Sequence, residues 1–206
     1  GIQDLTREVV ASGRVKVTDD VAAAIRDTEL SFVCVGTPSS PNGSQDMSYI
    51  RRVMESIGAA LKQKAAFHTV VLRSTVQPGT LDELVRPTLE KASGKVADKD
   101  FGLAFQPEFL REGTSIKDYD RPPLTIVGTR SPRAAEVLRA VFGHLPCEFV
   151  VTSVGVAEMQ KYAANAFLAT KISFMNEIAN VCELVGADVD QVRRAIGSDK
   201  RIGSSF

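Results

Sequence analysis

Leu30-Ser31-Phe32-Val33-Cys34-Val35-Gly36 is a nearly continuous apolar run closed by a glycine. A strand covered on both faces reads this way, because neither face alternates to polar residues. Two further runs repeat the pattern, His68-Thr69-Val70-Val71-Leu72-Arg73 and Phe101-Gly102-Leu103-Ala104-Phe105. Amphipathic stretches of helical period lie between them: residues 48–62 place Ile50, Val53, Met54, Ile57 and Leu61 on one face. Residues 80–91 and 132–142 are also expected to be helical. Strands alternating with helices are the βαβ signature of a parallel sheet, so the expected class is α/β. Outward from this centre, residues 14–18 are expected to form a short strand, followed by a helix to Arg26 capped by Asp19 or Asp20. Residues 124–128 and 148–151 are expected to be the last two strands.

The periodicity changes after residue 152. Residues 156–185 form one uninterrupted helical pattern without Pro or Gly, which at 1.5 Å per residue would span about 45 Å. Such a length suggests a connector or an oligomer core. Gly186 is placed to end it, and a short helix over residues 188–196 follows. The domain boundary is set at 152/153, giving domains 1–152 and 153–206.

Composition narrows the function classes. The chain has 206 residues, 44% hydrophobic and 24% charged, which is ordinary for a soluble globular protein. No stretch approaches the roughly 18 apolar residues of a membrane span. Lys plus Arg equals Asp plus Glu at 25 each, which gives no general attraction to nucleic acid or membrane. Cys34, Cys147 and Cys182 have neither metal nor disulfide spacing. Each is expected to be a plain buried thiol in a reduced, cytoplasmic setting. His68 and His144 have no partner at nucleophile or metal spacing and are assigned structural roles. No metal is expected.

Ligands of open α/β sheets bind at the carboxyl ends of the strands. Three strands in succession run into small, polar, turn-forming groups: Gly36-Thr37-Pro38, then Arg73-Ser74-Thr75 with Pro78-Gly79-Thr80, then Gln106-Pro107-Glu108 with Arg111-Glu112-Gly113-Thr114. Hydroxyls, amides and carboxylates are expected to converge on that rim. Glu108, between Pro107 and Phe109, is expected to be partly desolvated and so suited to acid–base work, although a loop glutamate can equally be solvated. Arg111 can pair with Glu112 or Asp118. On the long helix, Lys161 and Asn165 share one face at i and i+4, and a lysine there either reaches water along its stem or faces an anionic or carbonyl partner.

These blocks resemble the UDP-glucose/GDP-mannose dehydrogenase family. The resemblance rests on Val35-Gly36-Thr37-Pro38, Arg73-Ser74-Thr75-Val76 with Pro78-Gly79-Thr80, Gln106 through Gly113, and Ala157-Glu158-Met159-Gln160-Lys161-Tyr162 through Asn165 with Lys171 and Asn176-Glu177. It implies a partial Rossmann-type dinucleotide-binding domain followed by the long helix of an α-helical central domain. It also implies an NAD-dependent oxidation of a nucleotide sugar at C6 in polysaccharide biosynthesis: alcohol to aldehyde, to a thioester on cysteine, then to carboxylate, with two NAD per sugar. By resemblance, Glu108 is the general base of thioester hydrolysis and Thr75 positions the water. Lys161 stabilises negative charge on oxygen and Asn165 holds the sugar, with Phe109 and Leu110 also lining the substrate. Thr37, Ser74 and Glu112 line the nicotinamide side of the cofactor. The long helix implies a homodimer.

The family's Gly-rich pyrophosphate turn would lie before Gly1 and its Gly-Gly-Ser-Cys segment just after Phe206. None of the three cysteines matches that nucleophile. The chain is therefore expected to be a fragment that binds NAD weakly by itself. Asp118-Tyr119-Asp120 with Pro122-Pro123 resembles the GDP-mannose branch. Residues 167–171 and 199–203 lean towards UDP-glucose, where the balance is set. Two alternatives stay open, another β-hydroxyacid-type dehydrogenase and a non-catalytic dimerisation module.

Overall fold

The computed structural model describes residues 1–204; Ser205 and Phe206, the end of the expected second domain, lie outside them. The chain forms two compact units, Gly1–Met159 and a second from Gln160 onward.

The first unit is built on a five-stranded sheet in which spatial order follows chain order: β1 (Leu30–Val33), β2 (Thr69–Leu72), β3 (Gly102–Phe105), β4 (Thr125–Thr129) and β5 (Phe149–Thr152). The first three strands are parallel. Val33 pairs with Leu72 and Leu72 with Phe105, so their carboxyl ends finish in one row. That row fixes where the loops with chemistry emerge. The side chains alternate and both faces are covered. Leu72, Leu103 and Phe105 join a core with Ile50, Met54, Leu61 and Leu89. Val71, Ala104 and Val127 join a second core with Leu138 and Phe142.

The first core is closed by α3 (Ser48–Gln63) and α4 (Arg86–Ser93), which continues directly from a π-helical turn at Leu81–Val85; the second is closed by α6 (Pro132–Phe142). The expected face of α3 is correct: Ile50, Met54, Ile57 and Leu61 are all buried. Where α3 meets α4, a Cβ on Gly58 would stand 2.6 Å from the Ala92 methyl. Only a glycine lets the helices pack this closely. The remaining helices of the first half are α1 (Ile2–Ala11) and α2 (Val21–Asp27). Asp20 caps α2 by accepting from the Ala23 amide at 2.9 Å, and Lys64 donates to the carbonyls of Ile25, Arg26 and Thr28 at its far end. A cation there satisfies carbonyls that the helix leaves open.

Three sequence expectations are corrected. Residues 14–18 form no strand: they are exposed, Val17 at 95%, and none of the described residues offers them a ladder. Their β-branched composition supplies propensity but no pairing. The sheet is not wholly parallel, because β4 runs antiparallel to β3, with Phe105 opposite Gly128. The connecting helix α5 (Ser115–Asp120) has six residues and buries none, so it cannot act as the covered crossover that a parallel neighbour needs. Cys34 is exposed and Cys147 partly buried, whereas Cys182 is buried; Cys34 lies just past Val33, the end of β1, which is the edge strand among the described residues.

The helix α7 (Val154–Val185) is 32 residues long and begins two residues earlier than its Pro- and Gly-free stretch. Its first turn lies against β4, where a Cβ on Gly128 would stand 2.8 Å from the Ala157 methyl. Gly186, at φ +72°, ends it as expected. In the second unit α8 (Val189–Gly197) follows, capped by Asp188, which accepts from the Asp190 and Gln191 amides.

His68 is structural, as expected. It is fully buried, its Nδ1 lies 3.0 Å from the Thr28 carbonyl, and its Nε2 lies 2.8 Å from the Ser31 hydroxyl. A carbonyl only accepts, so Nδ1 carries a proton, and in the neutral ring Nε2 accepts from Ser31. Burial pushes its pKa below the ordinary 6.5, against the pull of the Thr28 carbonyl. The unfolded chain therefore binds the proton more readily, and stability present above about pH 6.5 is lost as the pH falls below it. Urea denaturation at pH 7.5 and pH 5 is expected to show a lower midpoint at pH 5, with His68→Gln reducing the difference between the two.

Candidate functional site

Ser74 lies two residues past β2, and its hydroxyl donates to the Val35 carbonyl at 2.6 Å. Thr37 donates to the Thr75 carbonyl at 2.9 Å, and the Gln45 side-chain amide reaches the same oxygen at 3.3 Å. The loops leaving β1 and β2 are thus stitched together at the carboxyl edge. The chain folds this way because Val35 lies two residues past the end of β1, beyond the β1–β2 ladder, and a hydroxyl on the loop after β2 satisfies its carbonyl. Ser74 is buried and Thr75 half-buried.

The third strand's exit joins through Arg73. Its guanidinium donates to the Gln106 Oε1 and stands 5.8 Å from the ring centres of both Phe32 and Phe142. Buried Gln106 donates in turn to the Pro107 carbonyl at 2.7 Å. Glu108 comes next; it is half-buried, and its carboxylate accepts from the Leu110 amide. That bond curls the loop and fixes the direction of the acid. A crevice of about 30 Å³ opens among Arg73, Gln106, Glu108, Phe109, Leu110 and Asp118, room for one water.

Arg111 pairs with Asp118, not with Glu112. One carboxylate accepts from the Arg111 amide (3.0 Å), its Nε (3.0 Å), its Nη2 (2.7 Å) and the Thr114 hydroxyl (2.8 Å). The Arg111 guanidinium, above all, holds the Asp118 carboxyl well below the usual carboxylate range. Glu112 is exposed on the turn so formed.

The structure therefore brings Thr37, Ser74, Thr75 and Glu108 to one edge of the first unit, with Phe109 and Leu110 beside them and Glu112 further out. Lys161 and Asn165 belong to the second unit. There Lys161 is buried at 7% exposure, while Asn165, one turn on, is exposed. Burial of a lysine on an otherwise exposed stretch of helix means its charge is held by protein. Also in that unit, an apolar cavity of about 450 Å³ is lined by Phe167, Phe174, Met175, Ile178, Val192 and Ile202. Among the described residues no group of three His, Cys, Asp or Glu could hold a metal, and no helix is long and apolar enough to cross a membrane.

Two residues of the rim carried no periodic signal in the sequence. Gln106 looks like one more loop amide until Arg73 is seen beside it. Glu158, fully buried, accepts from the Gly79 amide at 2.7 Å and the Leu81 amide at 2.9 Å. Its sequence signal is its place in the Ala157–Tyr162 block that carries the resemblance, which assigns it no role.

Comparison with known proteins shows the family. Residues 1–146 match the NAD binding domain of the UDP-glucose/GDP-mannose dehydrogenase family, and residues 155–206 match its central domain. A GDP-mannose 6-dehydrogenase of Pseudomonas savastanoi pv. phaseolicola is 44% identical over 205 residues, covering 100% of this chain and 47% of the relative. A UDP-glucose 6-dehydrogenase of Pseudomonas aeruginosa is 41% identical over 212 residues, covering 100% and 46%. The crystal structure of a ternary complex of GDP-mannose dehydrogenase from Pseudomonas aeruginosa superposes with a TM-score of 0.94 at 43% identity, covering 97% of this chain and 46% of the other. The chain spans about half the length of the curated relatives it matches.

The Asp118 knot generates a test of the loop that carries Glu108. Asp118→Ala removes the acceptor of four hydrogen bonds and leaves the Arg111 amide to water. Trypsin is expected to cut after Arg111 several times faster in the variant than in the parent, with the cut read by mass spectrometry.

Proposed function

The chain belongs to the UDP-glucose/GDP-mannose dehydrogenase family, and on that premise we propose that the protein of which it forms part oxidises the C6 alcohol of a nucleotide sugar to a uronic acid with NAD. The observation that carries the reading is the stitched carboxyl edge, where Thr37, Ser74 and Thr75 share one hydrogen-bond knot and Glu108 leaves the adjoining strand. We keep the domain boundary at 152/153 and a cytoplasmic setting as parts of the proposal. GDP-mannose is placed before UDP-glucose, because the GDP-mannose relatives match at 44% against 41% and because Asp118, in the segment resembling that branch, anchors the site loop.

NAD, when bound, accepts hydride from the sugar carbon. Thr37 and Ser74 fit the nicotinamide side: each hydroxyl hydrogen is engaged by a carbonyl, which leaves oxygen lone pairs to accept from a carboxamide. Glu112 completes that set. In the substrate half, Glu108 takes the proton of the water that attacks the thioester, and Thr75 orients that water. Lys161 opposes the negative charge that develops on the substrate oxygen, Asn165 holds the sugar, and Phe109 and Leu110 line it. The reacting cysteine that the resemblance implies is none of Cys34, Cys147 and Cys182.

Dimerisation belongs to the same reading. In α7 Phe167, Ile172, Phe174 and Leu184 are all more than half exposed. Exposed apolar surface on more than one face of a helix marks an interface more often than a solvated face, and a second copy of the helix is its proposed partner.

Glu108 and Lys161 separate in kinetics of the full-length enzyme. Glu108→Gln leaves oxidation to the thioester intact and slows its release about 10²–10⁴-fold, so a covalent sugar adduct accumulates and mass spectrometry detects it. Lys161→Ala slows the earlier steps as well, by about 10²–10³-fold, without adduct. Normal turnover by Glu108→Gln would contradict the proposed mechanism.

A further inference from the structure

Glu158 is a carboxylate with no exposed surface, and its hydrogen-bond partners are two backbone amides. Both oxygens are used, Oε2 by Gly79 and Oε1 by Leu81. These amides lie at the start of the helical run through Leu81–Val85 and α4, where the first N–H groups have no partner within the helix. A negative charge is favoured there by the helix dipole. The carboxylate that supplies it comes from α7, 77 residues beyond Leu81. Its place is fixed by the neighbouring contact of Ala157 with Gly128, which a larger residue at 128 would push apart.

The turn between β2 and Leu81 is therefore held at both ends. Upstream, the Thr75 carbonyl is held by Thr37 and Gln45, and Ser74 is tied to Val35. Downstream, Glu158 grips Gly79, whose φ of +95° makes the reversal that returns the chain to the helix. Thr75 stands between the two anchors with its carbonyl already engaged. Its remaining freedom is the orientation set by residues 76–79.

We infer that Glu158 is a positioning residue for the reaction, acting through the Gly79 turn on Thr75. The inference rests on the proposed role of Thr75 in orienting water. Burial, with the nearby Asp82 and Glu83 carboxylates, raises the Glu158 carboxyl above its ordinary value against the pull of the two amides; the clamp rests on the two amide contacts, at 2.7 and 2.9 Å. Replacement by glutamine keeps the shape but turns one acceptor into a donor facing a buried amide. That displaces the turn without emptying the core.

The test is a double-mutant cycle in the full-length enzyme with Glu158→Gln, Thr75→Ala and the pair. Misplacement of a reacting group by about 1 Å can cost 10²-fold. Glu158→Gln is expected to lower kcat roughly ten- to hundredfold and leave KM for NAD within about twofold, because Ser74 and Thr37 keep their own ties. In the Thr75→Ala background the same substitution is expected to cost less than about twofold, since a residue that acts through Thr75 has nothing left to position. A full cost in both backgrounds would reduce Glu158 to fold stability and overturn the inference. So would normal kcat for Glu158→Gln beside an active parent. A parent that reduces no NAD with either sugar nucleotide would overturn the functional reading and this inference with it. Amide exchange in the parent is an independent check: slow exchange at Gly79 and Leu81 is expected, and free exchange there would refute the clamp.

Discussion

The Ser74 hydroxyl, donating to the Val35 carbonyl at 2.6 Å, is the bond on which the candidate site depends. It joins the exits of two parallel strands whose ends are already level by register. Once it is made, Thr37 reaches the Thr75 carbonyl, Arg73 faces Gln106 on the next strand, and Glu108 emerges at a fixed height beside them. Ser74 and Thr37 donate to backbone carbonyls beyond the ladder's end, Arg73 donates to a side-chain oxygen, and Glu108 accepts from a backbone amide. The hydroxyls first assigned to a cofactor thus also hold the rim together. A hydroxyl can do both, since donation of its hydrogen leaves lone pairs to accept.

Two carboxylates follow the same logic with charge added. Asp118 gathers one backbone amide beside a guanidinium, and buried Glu158 gathers two backbone amides. Asp118 gives shape to the loop bearing Glu108, and Glu158 gives shape to the turn after Thr75. A net charge of zero over the chain conceals this local use of carboxylates as acceptors for loops.

Much of the fold was legible from period alone. The apolar runs around Leu30, His68 and Phe101 became three level parallel strands, and the face of α3 and the whole of α6 stand where the pattern placed them. Residues 14–18 misled because β-branched composition reports propensity, while a strand needs a partner. The direction of β4 was not legible because it depends on whether the helix before it buries a face, and α5 buries none. In the site, Thr37, Ser74, Thr75 and Glu108 could be read as a converging group because each follows a strand of the same sheet. Glu158 and Gln106 could not, since their partners lie 77 and 33 residues away and nothing in local spacing records a contact of that range.

The second unit contributes a buried lysine and an apolar helix, and the family models match across both units. On the proposed function the reaction is a four-electron oxidation at one sugar carbon. The most direct measurement is stoichiometry in the full-length enzyme: NADH formed per GDP-mannose consumed, with the product identified by mass. The account predicts two NADH and a uronic acid. One NADH with an aldehyde or ketone product would contradict it.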